Sequence, residues 1–275
     1  MSDRPIKAAC VQLRSSEDPQ ENIRAASDLI REAAGKGATF VATPENTNLM
    51  AADGGAKMAK VYAESGDPAL PAFTDLANRL NIWLLIGSLA IKATNDKAFN
   101  RSYLIGPDGR VEARYDKIHL FDVDLANGEK YRESDTVAAG EEACVVTLPW
   151  GRIGLTICYD IRFPQLYRNL AKAGAEVLTV PAAFTVPTGQ AHWHILLRAR
   201  AIENACFVVA PAQGGLHANG RSTYGHSLIV GPWGDILAEA GVDPGVIVAD
   251  LDLAEIAKVR ARVPALRHDR PFRGA

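Results

Sequence analysis

The chain has 275 residues, of which 48% are hydrophobic and 23% are charged, which is enough to bury one large core. Its formal net charge of −2 comes from 30 basic and 32 acidic side chains, and this balance argues against non-specific binding to nucleic acid or to a membrane surface. No stretch is apolar for long enough to cross a bilayer, and the polar Met1–Pro5 leads straight into a strand. We therefore expect neither a membrane span nor a signal peptide.

The cysteines are spread along the chain and form no CxxC pair; they are Cys10, Cys144, Cys158 and Cys206. Each lies in or at the end of an apolar, strand-like run. This pattern predicts a reduced, cytoplasmic protein without structural disulfides.

Hydrophobic periodicity predicts that the chain opens with a strand over 6–13, a helix over 22–34 and a strand over 40–42, the start of a layered α/β fold. A glycine-bearing stretch over 51–56 predicts a loop that enters a helix. Further strands are predicted over 82–91, 98–105, 111–115, 144–148, 153–157, 177–180, 206–210, 227–230, 236–240 and 246–251, and further helices over 72–80, 164–173, 190–204 and 253–262. Residues 116–142 lose this periodicity, and so long a loop inside a compact domain is usually functional.

The mixture of β–α units and hairpins indicates mixed sheets. The number of apolar segments suggests two sheets packed face to face, with helices outside. No internal repeat, low-complexity segment or linker interrupts the sequence. We therefore predict one α/β domain over residues 1–275.

One cysteine stands where the pattern changes abruptly. The apolar run over 153–157 ends at Cys158, and a helix-like segment begins at Pro164, a residue suited to a first helical turn. A thiol fixed at a strand end could act as a nucleophile, with backbone N–H groups of the turn facing the oxyanion that forms. A nearby helix N-terminus and a lysine would favour its thiolate. The alternative is a small, buried, unreactive side chain.

Three other charged residues could serve this thiol. Glu45 comes just past the strand over 40–42, where ligand sites gather in layered α/β proteins, and a partly desolvated Glu can accept a thiol proton. Lys117 opens the long loop and could stabilise an oxyanion, and Glu133 is a second carboxylate in that loop. Taken singly, each is more readily explained as a solvated surface side chain.

The histidines give a weaker signal. None of the six lies in a diagnostic context with a cysteine. His192 and His194 are two positions apart on a predicted helix, so their rings point to different faces, and no HExxH pattern accompanies them. We therefore predict no metal site there.

Three blocks of sequence, taken together, are far more specific than these residues alone. In chain order they are Pro44-Glu45-Asn46, Tyr115-Asp116-Lys117-Ile118-His119-Leu120-Phe121-Asp122 and Leu155-Thr156-Ile157-Cys158-Tyr159-Asp160-Ile161-Arg162-Phe163-Pro164. They resemble the catalytic blocks of the nitrilase superfamily of carbon–nitrogen hydrolases, and the resemblance runs from Ile6 to about Leu253. Within the superfamily, the chain resembles the Nit-type amidases most closely. Within that branch it looks more like the enzymes that hydrolyse deaminated glutathione than like the omega-amidases. The stretches that carry this resemblance are Tyr131-Arg132-Glu133-Ser134, Phe184-Thr185, Gly189-Gln190-Ala191-His192-Trp193-His194, Arg198-Ala199-Arg200-Ala201-Ile202-Glu203-Asn204 and Tyr224-Gly225-His226-Ser227.

The resemblance implies a four-layer α-β-β-α sandwich that associates into homodimers or larger homo-oligomers. It implies Glu45, Lys117 and Cys158 as catalytic residues, with Glu133 as the second acidic residue of the site. The expected reaction is hydrolysis of a primary amide of a small carboxylic acid through a thioester on Cys158. Lys117 and the backbone N–H of Tyr159 would hold the oxyanion, and no metal or organic cofactor is needed.

Three further residues are candidates for the substrate pocket. Arg162, in the turn after Cys158, could pair with a substrate carboxylate or form a structural salt bridge with Asp160 or another acid. Phe184 and Thr185 follow the strand over 177–180 at the same sheet edge. Omega-amidase, nitrilase and N-carbamoyl amino acid hydrolase activities would use the same catalytic groups and stay open, as does a catalytically silent scaffold of the same fold.

Overall fold

The computed structural model describes residues 6–124, 128, 130–271 and 273–274. The helices are α1 (Pro19–Gly35), α2 (Gly54–Met58), α3 (Ala69–Leu80), α4 (Pro164–Lys172), α5 (Val186–Asn204) and α6 (Ala254–Arg262). The strands are β1 (Ile6–Gln12), β2 (Phe40–Ala42), β3 (Trp83–Lys92), β4 (Ala98–Ile105), β5 (Val111–Asp116), β6 (Asp122–Asp124), β7 (Lys130–Arg132), β8 (Val137–Ala138), β9 (Cys144–Leu148), β10 (Gly151–Leu155), β11 (Val177–Thr179), β12 (Phe207–Ala210), β13 (Gly214–Leu216), β14 (Ser222–Tyr224), β15 (Leu228–Val230), β16 (Ile236–Glu239) and β17 (Gly245–Leu251). Among these described segments, no helix is both long and apolar enough to span a bilayer.

Helix α1 shows how the sequence sets an element's ends and its buried face. The carboxylate of Asp18 accepts hydrogen bonds from the first N–H groups of the helix, and a proline occupies its first position, so the helix begins there. Ile23, Ala26 and Ile30 recur at helical spacing and are buried against the sheet. The chain turns away at Gly37, whose φ of 84° is in the left-handed region.

Two mixed sheets carry most of the strands. The first has the order β17-β1-β2-β3-β4-β5, with β8 beside β4, and the second has the order β16-β15-β12-β11-β10-β9. Parallel pairing joins β1, β2 and β3 in the first sheet and β10, β11 and β12 in the second. Antiparallel strands flank both parallel centres.

The side chains of β1 alternate between two cores and so define the layers. Ala8 and Cys10 lie in the core that β1 shares with the second sheet, which also contains Ile153 of β10. Ala9 and Val11 point to the opposite face and pack in a second core with α1 and α3. On the far side of the second sheet, α4 contacts β10 and α5 contacts β12. The order is helices, sheet, sheet, helices, which confirms the predicted α-β-β-α sandwich.

The structure departs from the sequence prediction in three places. The strand predicted over 153–157 is shifted to β10, so the chain leaves the sheet before it reaches Cys158. The predicted loop over 116–142 contains the short hairpin β6–β7 and the strand β8, and a second short hairpin, β13–β14, has no counterpart in the prediction. Strands of two or three residues are too short to display a period of two in the sequence.

Candidate active site

Three strand ends converge on one cavity of about 490 Å³. Glu45 follows β2 and Lys117 follows β5, both in the first sheet, whereas Cys158 follows β10 in the second. Glu133 joins them from a short helical turn after β7. All four side chains line the cavity, and the exposed fractions of Lys117, Glu45 and Cys158 are only 2%, 4% and 7%. The structure therefore brings together the four residues that the sequence singled out.

The turn that carries Glu45 is tight and closely packed. The next residue, Asn46, has a φ of 60°, and its N–H donates to Ser88 Oγ at 2.9 Å. Gly87 of β3 makes the approach possible, because a Cβ at this position would lie 2.0 Å from the carbonyl oxygen of Thr43. The position of Glu45 therefore depends on a glycine in the neighbouring strand.

Cys158 sits on a strained elbow. Its φ of 49° is unusual for a residue other than glycine, and its N–H donates to the carbonyl of Pro181 at 2.9 Å. The buried carboxylate of Asp160 holds the turn by accepting hydrogen bonds from the N–H of Ile157 at 2.8 Å and from the hydroxyl of Tyr115 at 2.7 Å. These contacts hold the thiol at the cavity wall.

A hydrogen-bonded network joins the two carboxylates of the site. Lys117 Nζ donates to Glu45 Oε1 and to Glu133 Oε2, each at 2.8 Å. Asn100 of β4 bridges the same pair, donating through Nδ2 to Glu45 Oε1 at 2.8 Å and to Glu133 Oε1 at 3.1 Å. Glu133 Oε2 also accepts the N–H of Phe121 at 2.7 Å. The network holds the ammonium between two fixed anions.

The charge states of this network follow from its contacts. Burial disfavours the charged form of Lys117, but the charges of Glu133 and Glu45 outweigh burial and raise the pKa of Lys117 well above its usual value. Burial would raise the pKa of Glu133, but Lys117 outweighs it and holds that pKa below its usual range. Lys117 is therefore a cation, and Glu133 an anion, throughout the neutral range.

The thiol of Cys158, unlike these two charged groups, is protonated and uncharged in the resting site. Burial raises the pKa of Cys158 well above its ordinary value, the charge of Glu45 raises it further, and Lys117 only partly offsets both. The predicted effect of the lysine is present, since the charge of Lys117 lowers the pKa of Cys158, but burial and Glu45 outweigh it. The thiol keeps its proton until a base takes it, and Glu45 is adjacent, with its other oxygen, Oε2, fixed by the N–H of Ala183 at 3.0 Å.

This raised pKa predicts a pH-dependent stability. An unfolded thiol ionises near pH ~8.5, whereas folded Cys158 keeps its proton to higher pH. Between the two pKa values the folded state binds more protons, so the free energy of unfolding falls as pH rises, by at most about 1.4 kcal/mol per pH unit. Cys158→Ser lacks this titration. Urea unfolding at pH 7.5, 8.5 and 9.5 should therefore show wild type losing stability relative to this variant above pH ~8.5; parallel curves would contradict a protonated resting thiol.

The backbone beside Cys158 offers a donor for an oxyanion. Tyr159 is the second residue of the short helical turn Cys158–Arg162, and the first N–H groups of a helix have no acceptor inside it. The carbonyls of Pro181 and Ile157 accept the N–H groups of Cys158 and Asp160. Among the residues that the structure describes, this leaves the N–H of Tyr159 as the donor of the turn next to the thiol.

Two of the three predicted pocket residues line the cavity, and the third does not. Phe184 and Thr185 line the cavity, and the ring of Phe184 packs on Trp193 with centroids 4.8 Å apart. Arg162 is not part of the cavity wall. Its guanidinium lies over the ring of Phe184 at 5.6 Å and beside His192 Nδ1 at 3.4 Å. The predicted salt bridge with Asp160 does not form either, because that carboxylate is used inside the elbow.

Three residues were missed by the sequence reasoning: one belongs to the hydrogen-bonded network and two line the cavity. Asn100 occupies a buried position of β4, where a polar side chain is a weak signal of function. Lys57 on α2 and Arg221, between β13 and β14, line the cavity. Neither stands in one of the recognised blocks, and the short elements that carry them have no period that would place them near Cys158.

The contacts of His119 and His194 are with groups other than the Cys158 thiol. His119 donates its N–H to Asp160 Oδ1 at 3.0 Å and stacks on Phe163, so it belongs to the elbow and not to the thiol. His194 lies apart from His192 and meets His226 and Glu239, the ligand atoms of the three lying within 4.8 Å of one another. Within the described part of the chain this is the group that could hold a metal ion; both imidazoles hydrogen-bond to Glu239 Oε1, at 2.8 and 3.0 Å.

Comparison with known proteins agrees with this geometry. The family profile described as carbon–nitrogen hydrolase matches residues 7–261. The chain belongs to the carbon–nitrogen hydrolase family. A curated relative, the deaminated glutathione amidase of Synechocystis sp. (strain PCC 6803 / GT-S), is 42% identical over 270 residues, which cover 96% of this chain and 98% of the relative.

Two solved structures extend the comparison with this carbon–nitrogen hydrolase. The C. elegans NitFhit protein superposes with a TM-score of 0.91 at 37% identity, covering 98% of this chain and 66% of that one. A Glu-to-Gln mutant of the amidase from Nesterenkonia sp. AN1, with the acetamide moiety of fluoroacetamide covalently added at its active-site cysteine, has a TM-score of 0.83 at 27% identity over 98% of this chain and 95% of that one. The predicted superfamily, the nitrilase-like fold and a hydrolase acting on carbon–nitrogen bonds are confirmed.

Proposed function

We propose that this carbon–nitrogen hydrolase is a thiol-dependent amidase that converts an amide of a small carboxylic acid to the acid and an amine, or to the acid and ammonia when the amide is primary. The observation that carries the proposal is the buried network of Glu45, Lys117 and Glu133 beside the Cys158 thiol in one cavity. It supplies a base, a fixed positive charge and a nucleophile in a site with little access to bulk water.

The first half-reaction forms a thioester. Glu45 takes the proton of the Cys158 thiol, and the sulfur attacks the amide carbonyl. Negative charge develops on the carbonyl oxygen, where Lys117 Nζ and the N–H of Tyr159 can donate. As the C–N bond breaks, Glu45 returns the proton to the departing nitrogen, which leaves as the amine, or as ammonia from a primary amide, and the acyl group stays on sulfur.

The second half-reaction consumes one water molecule. Glu45 removes a proton from water as its oxygen attacks the thioester carbonyl, and the oxyanion is again held by Lys117 and the N–H of Tyr159. When the C–S bond breaks, the proton returns to the sulfur of Cys158. The carboxylic acid leaves, and the site is restored without any external oxidant or reductant.

Glu133 and Asn100 act on this chemistry indirectly. Glu133 is a second anion on Lys117 and fixes the direction of its ammonium. Asn100 donates to both carboxylates and so fixes the positions of Glu45 and Glu133 relative to each other. We assign both as positioning residues, because the lysine and the base must be oriented before substrate arrives.

The proposed substrate is deaminated glutathione, a peptide-like acid in which the nitrogen of the reacting amide belongs to cysteinylglycine, so that the leaving group is this dipeptide amine. The support is the name of the Synechocystis relative and its 42% identity, together with a cavity of about 490 Å³, within the usual range for small-molecule sites. The covalent adduct on the active-site cysteine of the Nesterenkonia amidase supports a covalent intermediate.

A panel of substrates tests this proposal. Hydrolysis should be fastest for deaminated glutathione, measured as release of cysteinylglycine, and slower for alpha-ketoglutaramate, simple nitriles and N-carbamoyl amino acids, measured as release of ammonia. Each rate is compared with that of the Cys158→Ala variant. A faster rate on alpha-ketoglutaramate, nitriles or carbamoyl substrates would reassign the protein as an omega-amidase, nitrilase or carbamoylase. No release from any of them by folded protein would favour the silent scaffold.

A further inference from the structure

Arg221 is a cation without an acid partner in the wall of the active-site cavity. Its Nε is buried and has no hydrogen-bond partner. One terminal nitrogen donates to the carbonyl of Ala183 at 3.3 Å, and the other lies 3.7 Å from the sulfur of Met50, a weak acceptor. Among the described residues, no carboxylate forms an ion pair with it. The guanidinium also lies over the ring of Tyr131, 5.4 Å from the ring centroid, but a ring face does not replace the hydrogen bonds that its buried Nε has lost with water.

Lys57 is a second cation near the first. It lines the same cavity, and its Nζ makes no hydrogen bond or ion pair within the described part of the chain. Burial lowers the pKa of Lys57, and the nearby charges of Lys117 and Arg221 lower it too, whereas Glu133 and Glu45 raise it. Two cations held near each other at a cavity wall repel, unless an anion lies between them.

The carboxylates of the cavity wall do not supply the anion that would offset the repulsion between Lys57 and Arg221. Glu45 and Glu133 are both bound to Lys117 and Asn100. Nearer the mouth, Arg132 pairs with Asp124 at 3.0 Å. The cavity wall as a whole holds one more basic than acidic side chain, the basic ones being Lys57, Lys117, Lys130, Arg132 and Arg221 and the acidic ones Glu45, Asp53, Glu133 and Asp135.

We propose that Arg221 and Lys57 form a carboxylate-binding subsite that selects amide substrates carrying a free carboxylate. The inference rests on the proposed amidase function and adds to it the residues that read the substrate's charged end. The guanidinium has free donors in a planar fork that matches a carboxylate, and Lys57 adds a second positive charge. This role replaces the one that the sequence suggested for Arg162, which lies outside the cavity wall.

The subsite is linked to the reacting end through one residue. The carbonyl of Ala183 accepts from Arg221, and the N–H of Ala183 donates to Glu45 Oε2. A substrate whose amide meets Cys158 can therefore extend along the wall toward Arg221, within the same cavity. The length of chain between amide and carboxylate then decides the fit.

The test compares charged and neutral amides of matched length. The pairs are succinamate with butanamide and glutaramate with pentanamide, in which a methyl group replaces the carboxylate. Arg221→Gln should lower kcat/KM for the charged amides about 10- to 100-fold, mainly through KM, because hydrogen bonds to charged groups are lost. Turnover of the neutral amides should change less than about threefold. Lys57→Met should act in the same direction, and Arg221→Lys should recover part of the loss.

Arg162→Gln is the matched control, since it removes a guanidinium near the site but outside the cavity. It should leave the charged-to-neutral ratio within about twofold of wild type. An unchanged ratio in Arg221→Gln, an equal loss on both amides, or a larger effect of Arg162→Gln would overturn the proposal. Calorimetric binding of succinate to wild-type protein and to Arg221→Gln gives a readout that needs no turnover, so it separates failure of this subsite from failure of the amidase proposal.

Discussion

Replacing Cys158 by alanine should reduce amide hydrolysis by on the order of 10⁴-fold or more, because the covalent route disappears and, among the described residues, no other thiol lines the cavity. The measurement is kcat with the best amide of the panel at saturating concentration. The effect should fall on kcat, since the rest of the cavity, including its cations, still binds substrate. Residual turnover of more than a few per cent would contradict the assignment of the nucleophile.

Cys144→Ala is the control for this variant. Cys144 is a half-buried thiol on β9, outside the cavity wall, so its removal tests for a general effect of losing a cysteine. We expect wild-type kcat within about twofold. Circular dichroism melting of both variants shows whether either loss of activity is only a loss of fold.

Lys117→Met should harm both activity and stability. Removing one oxyanion donor costs on the order of 100- to 1,000-fold in kcat. The change also leaves Glu45 and Glu133 as buried carboxylates without their shared cation, and breaking a buried ion pair by removing one partner costs about 3–5 kcal/mol. Urea unfolding at pH 7 and steady-state kinetics measure the two losses separately. Wild-type stability in the variant would contradict the network.

A double variant separates the structural loss from the catalytic one. Lys117→Met combined with Glu133→Gln removes one of the stranded charges and keeps an amide that can still accept the N–H of Phe121. It should recover part of the lost free energy of unfolding but none of the lost kcat. Recovery of activity along with stability would mean that Lys117 acts only by holding the fold.

The sequence alone could predict the four candidate catalytic residues because each lies in or beside a local signal. Cys158 marks the change from strand to helix, Glu45 follows a short buried strand, and Lys117 opens a long loop. The resemblance then gathered them with Glu133 into one site. The layered α/β class was predictable from the mixture of β–α units and hairpins and from the number of apolar segments, whereas the four-layer order came from the resemblance. Self-association and a cytoplasmic location stay predictions.

The remaining features arise only from the folded arrangement. Whether Arg162 or Arg221 reaches the cavity depends on side-chain direction after the elbow and on the short β13–β14 hairpin, and sequence patterns encode neither. Asn100 acquires its role from two acids that are distant in sequence. The protonated state of Cys158 follows from the sum of burial and two opposite charges, which no motif contains.

The central claim is that Cys158 attacks the amide and carries the acyl group. Its most direct test is rapid acid quenching of the wild-type enzyme during turnover of deaminated glutathione, followed by mass mapping of its peptides. We predict an acyl adduct on the peptide that contains Cys158, absent from Cys158→Ala and released by hydroxylamine as expected for a thioester. An adduct on another residue, or turnover with a pre-steady-state burst but no adduct on Cys158, would contradict it.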